Sequence, residues 1–301
     1  MPAARIIDVH LHLYPEARIA AQAMGGTSRH GFAGTPEDTV EFMREHNIAV
    51  GVMCNFTPIH DMHVANLARI PVELTGADRA AAEAKVLDLM RFRVGERNEW
   101  SLQASERFPQ LLTFIGVDPV LSPDEMQAEI ELRHSAGAKG IKLHPPVQRV
   151  RLDDERWSPA LATAERLGMV ILTHMGPFGG IEGDWATIGD ATKVAERFPN
   201  LRMILAHAGG PNLVGTEAAL KRFPNLMVDT VGLAVGAHGD HLSDEKVVAQ
   251  IRRFGADRVV FGSDYCFVDP RPTFARLDRL PLTPAEHAAI YYDNAATLLA
   301  I

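Results

Sequence analysis

Eight short apolar stretches recur along the chain, at residues 6–13, 48–56, 111–117, 140–144, 169–174, 202–207, 226–231 and 258–264. Amphipathic patterns of helical period lie between them, for instance over residues 38–45 and 125–134. The stretches are near-continuous runs of valine, isoleucine and leucine, as expected of strands buried on both faces. Such strands, alternating with helices, predict a parallel sheet. Eight units predict an α/β chain closed into a (β/α)8 TIM barrel, with a doubly wound open sheet as the competing arrangement. Thr35 followed by Pro36 is a good helix start, an N-cap and then a proline whose missing N–H costs nothing there. Three helices should end in one phrase, Arg107-Phe108-Pro109, Arg197-Phe198-Pro199 and Arg222-Phe223-Pro224, each followed two residues on by a leucine that opens the next strand. Its irregular spacing makes it a reused junction rather than a solenoid repeat. Residues 284–300 read as a C-terminal helix packed under the barrel.

The connections are lopsided. Helix-to-strand turns are short, as at residues 45–47 and 255–257, whereas strand-to-helix loops are long, notably 14–34, 57–96 and 265–284. In a barrel those longer loops build the active site at the carboxyl ends of the strands. The 57–96 stretch should hold a helix around residues 80–91 and could act as a lid. No linker or low-complexity tract divides the chain, so residues 1–301 are read as one domain. The 38 acidic residues outnumber the 30 basic ones, for a net charge of −8, and no basic block stands out, which argues against nucleic acid as a partner. Cys54 and Cys266 are too few for a disulfide framework and fit a reducing cytoplasm. No apolar run approaches a membrane span, and the early first strand leaves no room for a signal peptide. A small molecule is the expected partner, and a homodimer is left open.

Candidate chemistry enters with the polar residues on these buried strands. His10 and His12 alternate on the first run and so share one face. Alone, a His-x-His is more often a satisfied core histidine with a chance neighbour. Here His144 ends the fourth run, His174 the fifth, His207 the sixth and Asp264 the eighth. A barrel would bring these ends to one mouth. Imidazoles with a carboxylate suit Zn²⁺, ahead of Mn²⁺ or Fe²⁺.

At these residues the chain resembles the amidohydrolase superfamily, in particular its amidohydrolase-related group of metal-dependent hydrolases, lactonases and decarboxylases. The likeness runs from Asp8-Val9-His10-Leu11-His12 to Phe261-Gly262-Ser263-Asp264-Tyr265. Between them lie Gly140-Ile141-Lys142-Leu143-His144-Pro145, Thr173-His174-Met175-Gly176 and Leu205-Ala206-His207-Ala208-Gly209-Gly210. The resemblance implies one divalent metal ion held by His10, His12, His174 and Asp264, with His207 close by. Lys142 and His144, on one face of the fourth strand, are then groups that touch the substrate or the ligands. The bland alternative for Lys142 is a buried ion pair with Asp8 or Asp118. Arg149 and Arg151 are the arginines best placed to clamp a substrate acid, Trp185 could flank an aromatic ring, and His238 lies in a glycine-broken loop that could line the pocket. The implied chemistry is hydrolysis of a small, carboxylate-bearing molecule by a metal-activated water. Asp264 would move the proton and His207 would stabilise developing charge. Non-oxidative decarboxylation of an aromatic or muconate-type acid is the alternative.

Overall fold

A computed structural model describes residues 5–28, 30–236 and 238–301. Eight parallel strands pair in chain order. They are β1 (Ile6–Leu11), β2 (Ile48–Cys54), β3 (Leu111–Gly116), β4 (Gly140–Leu143), β5 (Val170–Thr173), β6 (Arg202–Leu205), β7 (Leu226–Asp229) and β8 (Val259–Val260). The ring is closed by backbone bonds between its ends. Val9 N donates to Phe261 O at 3.0 Å, Asp264 N donates to His10 O at 2.9 Å, and Leu11 bridges in parallel to Tyr265. The open-sheet alternative is thereby set aside. Each strand is shorter than the apolar run that predicts it. The eighth shrinks most because Phe261 N turns to the carbonyl of Ile290 in the C-terminal helical segment.

The helices follow their local signals. Thr35 Oγ1 accepts from Asp38 N at 3.4 Å to start Pro36–Glu45, and a reciprocal Ser122–Glu125 cap starts Pro123–Ser135. The Arg-Phe-Pro junctions have a common physical basis. Each arginine lies over the ring of its own phenylalanine, at 4.9, 5.5 and 4.8 Å, as the helix stops. The 57–96 stretch differs from expectation. It holds the helix Ile59–Leu67 and most of a 32-residue helix, Gly76–Arg107, which buries Met90, Val94, Asn98, Ser101 and Ala104. This connection is part of the outer layer rather than a detached lid.

The floor of the barrel is closed by Pro284–Ala288, a π-helical turn over Ala289–Asp293, and Asn294–Leu299. Ala295, Leu298 and Leu299 pack onto Ile7, Val9, Val52, Phe114 and Leu172 in the barrel interior. Apolar burial of this kind anchors the strands, so their opposite ends can carry polar side chains. No helix among the described residues is long and apolar enough to cross a membrane.

Candidate metal centre

The first and eighth strands bring three ligand-type atoms together. Ligand atoms of His10, His12 and Asp264 all lie within 4.8 Å of one another. His12 Nε2 is 3.2 Å from His10 Nε2 and 3.2 Å from Asp264 Oδ1, and His10 Nε2 is 3.6 Å from the same oxygen. Both imidazoles are buried, and burial holds each below the ordinary histidine range, which favours the neutral form a metal requires. Burial alone would raise the Asp264 carboxyl. Its contact with His12 and the neighbouring rings of His10 and His207 outweigh that and hold Asp264 well below the carboxylate range. Two neutral nitrogens and an anionic oxygen crowded at these distances, with few protons to share, are a donor set that fits a divalent ion.

Asp229 fixes how His10 faces this group. Its Oδ2 lies 2.8 Å from His10 Nδ1, so the ring's proton belongs there and Nε2 keeps its lone pair for the cluster. Its Oδ1 accepts from the backbone N–H of His207 at 2.8 Å and of Val231 at 3.2 Å. Asp8 ties the same strands one step deeper, its Oδ1 accepting from His10 N at 3.0 Å and Ser263 N at 3.1 Å. Gly262 allows this closeness. A Cβ there would stand 3.0 Å from Asp229 Cβ and 3.1 Å from His10 Cβ.

His174 and His207 form an adjoining pair. His207 Nε2 is 2.9 Å from His174 Nδ1, while Nε2 of His174 is buried without a hydrogen-bond partner. His174 therefore reaches the compact group through His207 and is not part of the three-residue cluster. Its unsatisfied nitrogen is the atom it has free for a ligand. His207 does not end a strand as expected. It follows β6 in a tight turn with Ala208, both in the left-handed region at φ 57° and 54°. His144 stacks on His174 with centroids 4.2 Å apart, and its Nδ1 is likewise buried and unpartnered. Phe178 edges onto His144 and His174, and Phe56 and Phe267 edge onto His12.

Lys142 is sealed from solvent, with Nζ 3.0 Å from His10 Nε2, and it makes no ion pair with Asp8 or Asp118. Burial lowers its pKa. Arg149 lies over the Trp185 ring at 6.0 Å, and Trp185 Nε1 donates to Glu182 O at 2.7 Å. Arg151 is not a free clamp, since it pairs with Asp190 and with Asp153 at 3.2 Å. His238 Nε2 is 3.1 Å from the carbonyl of Gly210, which ties the loop after β7 to the turn after β6. Asp229 is the residue that sequence reasoning passes over. The available signal was the one that marks Asp264, an acid closing an apolar run, here Leu226-Met227-Val228-Asp229.

The family model described as Amidohydrolase matches residues 7–301. No curated protein matches the chain. Among solved structures, an uncharacterized TIM-barrel protein from Bordetella bronchiseptica is 18% identical, with 98% of each chain covered and a TM-score of 0.73. A candidate 2-pyrone-4,6-dicarboxylic acid hydrolase from Pseudomonas putida is 17% identical, covering 99% of this chain and 98% of its own, with a TM-score of 0.65. A dihydroxybenzoic acid decarboxylase from Polaromonas, solved with bound manganese and the inhibitor 2-nitroresorcinol, is 15% identical, covering 99% and 97%, with a TM-score of 0.67. At these identities the structural likeness speaks to the fold.

Proposed function

The chain belongs to the amidohydrolase family, and from that premise we propose a metal-dependent hydrolase acting on a small, carboxylate-bearing organic molecule. The observation that carries this reading is the two-sided setting of Asp264. Its Oδ1 faces His10 and His12, while the side chain stays 15% exposed. Its other oxygen makes no hydrogen bond among the described residues and is not sealed from solvent. One carboxylate can thus hold an ion and still accept a proton.

In this reading His10, His12 and Asp264 hold one divalent ion, Zn²⁺ with Mn²⁺ as the alternative, and His174 offers its unpartnered Nε2 as a fourth ligand. When bound, the ion supplies Lewis-acid polarisation of a carbonyl and a lower pKa for water. Asp264, held ionised, takes a proton from the attacking water through its free oxygen and returns it to the leaving group. Asp229 keeps His10 in the tautomer with Nε2 unprotonated. His207 orients His174 and stabilises negative charge developing on the substrate. The aromatic rings of Phe56, Phe178 and Phe267 exclude water around these groups.

That aromatic wall also favours a second reading, non-oxidative decarboxylation of a planar aromatic or muconate-type acid, because flat rings stack well there. One experiment separates the two. Metal-loaded protein is given a panel of lactones, amides and aryl carboxylates in H₂¹⁸O. Hydrolysis places ¹⁸O in the product without CO₂ release. CO₂ release with no label would replace the first reading by the second.

A further inference from the structure

Arg97 has no carboxylate partner among the described residues. Arg97 rises from the helix Gly76–Arg107, and its Nη2 donates to the carbonyl of Leu13 and, at 3.1 Å, to Asn55 Oδ1. Leu13 adjoins His12, and Asn55 adjoins Phe56, whose ring is 5.9 Å from that of His12. The guanidinium carbon lies 4.9 Å from the Tyr14 ring and 4.5 Å from the Trp100 ring.

The seat is built rather than incidental. Asn55 is buried and its amide donates to Ser101 Oγ at 2.7 Å, while that hydroxyl donates to the Arg97 carbonyl at 2.8 Å. The amide is therefore fixed with its oxygen toward Arg97. Only Nη2 is used. Nε and Nη1 make no hydrogen bond among the described residues, and neither is sealed from solvent. Elsewhere in this acid-rich chain two buried guanidinium groups have carboxylate partners. Arg133 meets Glu129 at 2.8 Å as well as Glu99, and Arg276 meets Asp244 at 2.8 Å. Burial brings Arg97 down to about 10, which still leaves it charged at neutral pH. A half-buried, uncompensated cation with three free N–H bonds suits an anionic ligand group, since charge-assisted bonds to a guanidinium are among the strongest available.

We propose that Arg97 is the specificity-determining residue of this mouth and binds a carboxylate of the substrate through Nε and Nη1. The inference rests on His10, His12 and Asp264 being the reaction centre. It adds that the substrate carries an acid group distinct from the bond that reacts. The remaining role for Arg97, stapling the chain after β1 to the chain after β2, needs only Nη2 and the stacked rings.

The test uses metal-loaded protein and two probes of similar shape, phthalate and the neutral phthalamide, with binding followed by calorimetry. Arg97→Gln should weaken phthalate roughly 10–100-fold, as expected for loss of a charged hydrogen-bond partner. Phthalamide binding should stay within about 2-fold, and Arg97→Lys should recover part of the phthalate affinity. A second measurement needs no variant. Phenylglyoxal modification of the wild-type protein, mapped by peptide mass, should spare Arg97 when phthalate is present. Equal loss of both probes, an unchanged phthalate affinity, absence of phthalate binding to wild type, or modification of Arg97 indifferent to phthalate would each overturn the proposal. Arg97-dependent phthalate binding in a protein that hydrolyses nothing in the panel would sink the hydrolase reading alone. Hydrolysis of acid substrates that ignores Arg97 would sink this one alone.

Discussion

Asp229→Asn separates the metal-binding role of the site from its structural role. In the native arrangement the carboxylate accepts the Nδ1 proton of His10 at 2.8 Å and the N–H groups of His207 and Val231 at 2.8 and 3.2 Å. Asparagine can still accept from the two backbone groups through its oxygen, but it presents an NH₂ to Nδ1. His10 must then carry its proton on Nε2, the atom that faces His12 and Asp264. Loss of such an outer carboxylate lowers metal affinity roughly 10–100-fold, about 1.4–2.7 kcal/mol.

Stability should move the other way. Burial pushes the Asp229 carboxyl up to about 6 from its ordinary 3.8. A raised carboxyl contributes nothing below pH 4, where both folded and unfolded forms hold the proton. Its destabilisation grows as pH rises between the two values, and above pH 6 it reaches on the order of 3 kcal/mol. Neutral asparagine escapes that cost. Metal-free Asp229→Asn should therefore melt no lower than metal-free wild type at pH 7.5, with any advantage gone near pH 4. The assay pairs zinc titration against a chromophoric chelator with thermal melts at both pH values. Wild-type zinc affinity in the variant would show that Asp229 does not set the His10 tautomer. A lower melting temperature at pH 7.5 would refute the burial-cost argument.

Three further outcomes follow from the same geometry. Asp264→Asn keeps one oxygen for the metal but cannot accept a proton, so it should retain metal with an affinity loss on the order of 10–100-fold while kcat falls roughly 10²–10⁴-fold; near wild-type turnover on the substrate found in the panel would make Asp264 a ligand only. Gly262→Ala would drive a Cβ to 3.0 Å from Asp229 Cβ and 3.1 Å from His10 Cβ. It should cost about 1–3 kcal/mol in a denaturant titration and weaken zinc binding as well, whereas unchanged values in both would mean the strands yield freely there. The metal-free protein should lose stability as pH falls below about 6.5. Burial lowers five histidines, His10, His12, His144, His174 and His207, and so favours proton uptake by the unfolded chain. Among the described residues the carboxyls that it raises in opposition are Asp8, Asp118 and Asp229. Flat stability in denaturant melts from pH 7.5 to 5 would contradict that balance.

The barrel was readable in the chain because burial on both faces of a strand leaves a local mark, an uninterrupted apolar run. All eight runs became strands in the expected order. The helix Gly76–Arg107 was less readable because only a few of its 32 residues are buried, which leaves no continuous apolar stripe to set its length. At the site, His10, His12 and Asp264 stood out because a polar residue at the end of an apolar run is locally costly. Asp229 carries the same signal, yet its role depends on a partner 219 residues away. Arg97 carries no local signal. On a largely exposed helix it reads as a solvated charge, and only the fold shows that its guanidinium reaches the mouth without a carboxylate.

Backbone conformation adds a mark that the apolar runs cannot give. His207, Ala208 and Asp264 all adopt left-handed φ values, 57°, 54° and 60°, where a side chain meets the following carbonyl at a cost of roughly 1–2 kcal/mol each. Glycine would relieve the strain, but at positions 207 and 264 it would also remove the imidazole and the carboxylate. The strain persists because neighbouring strands over-determine it. Asp229 on β7 holds His207 N, and the His10 carbonyl on β1 accepts from Asp264 N at 2.9 Å. Each strained residue with a proposed role is thus held by a group that also orients His10. The ligand, its outer carboxylate and the two bent turns form one hydrogen-bonded unit across the β7–β8–β1 closure, and a change at any one of them should be felt at the metal.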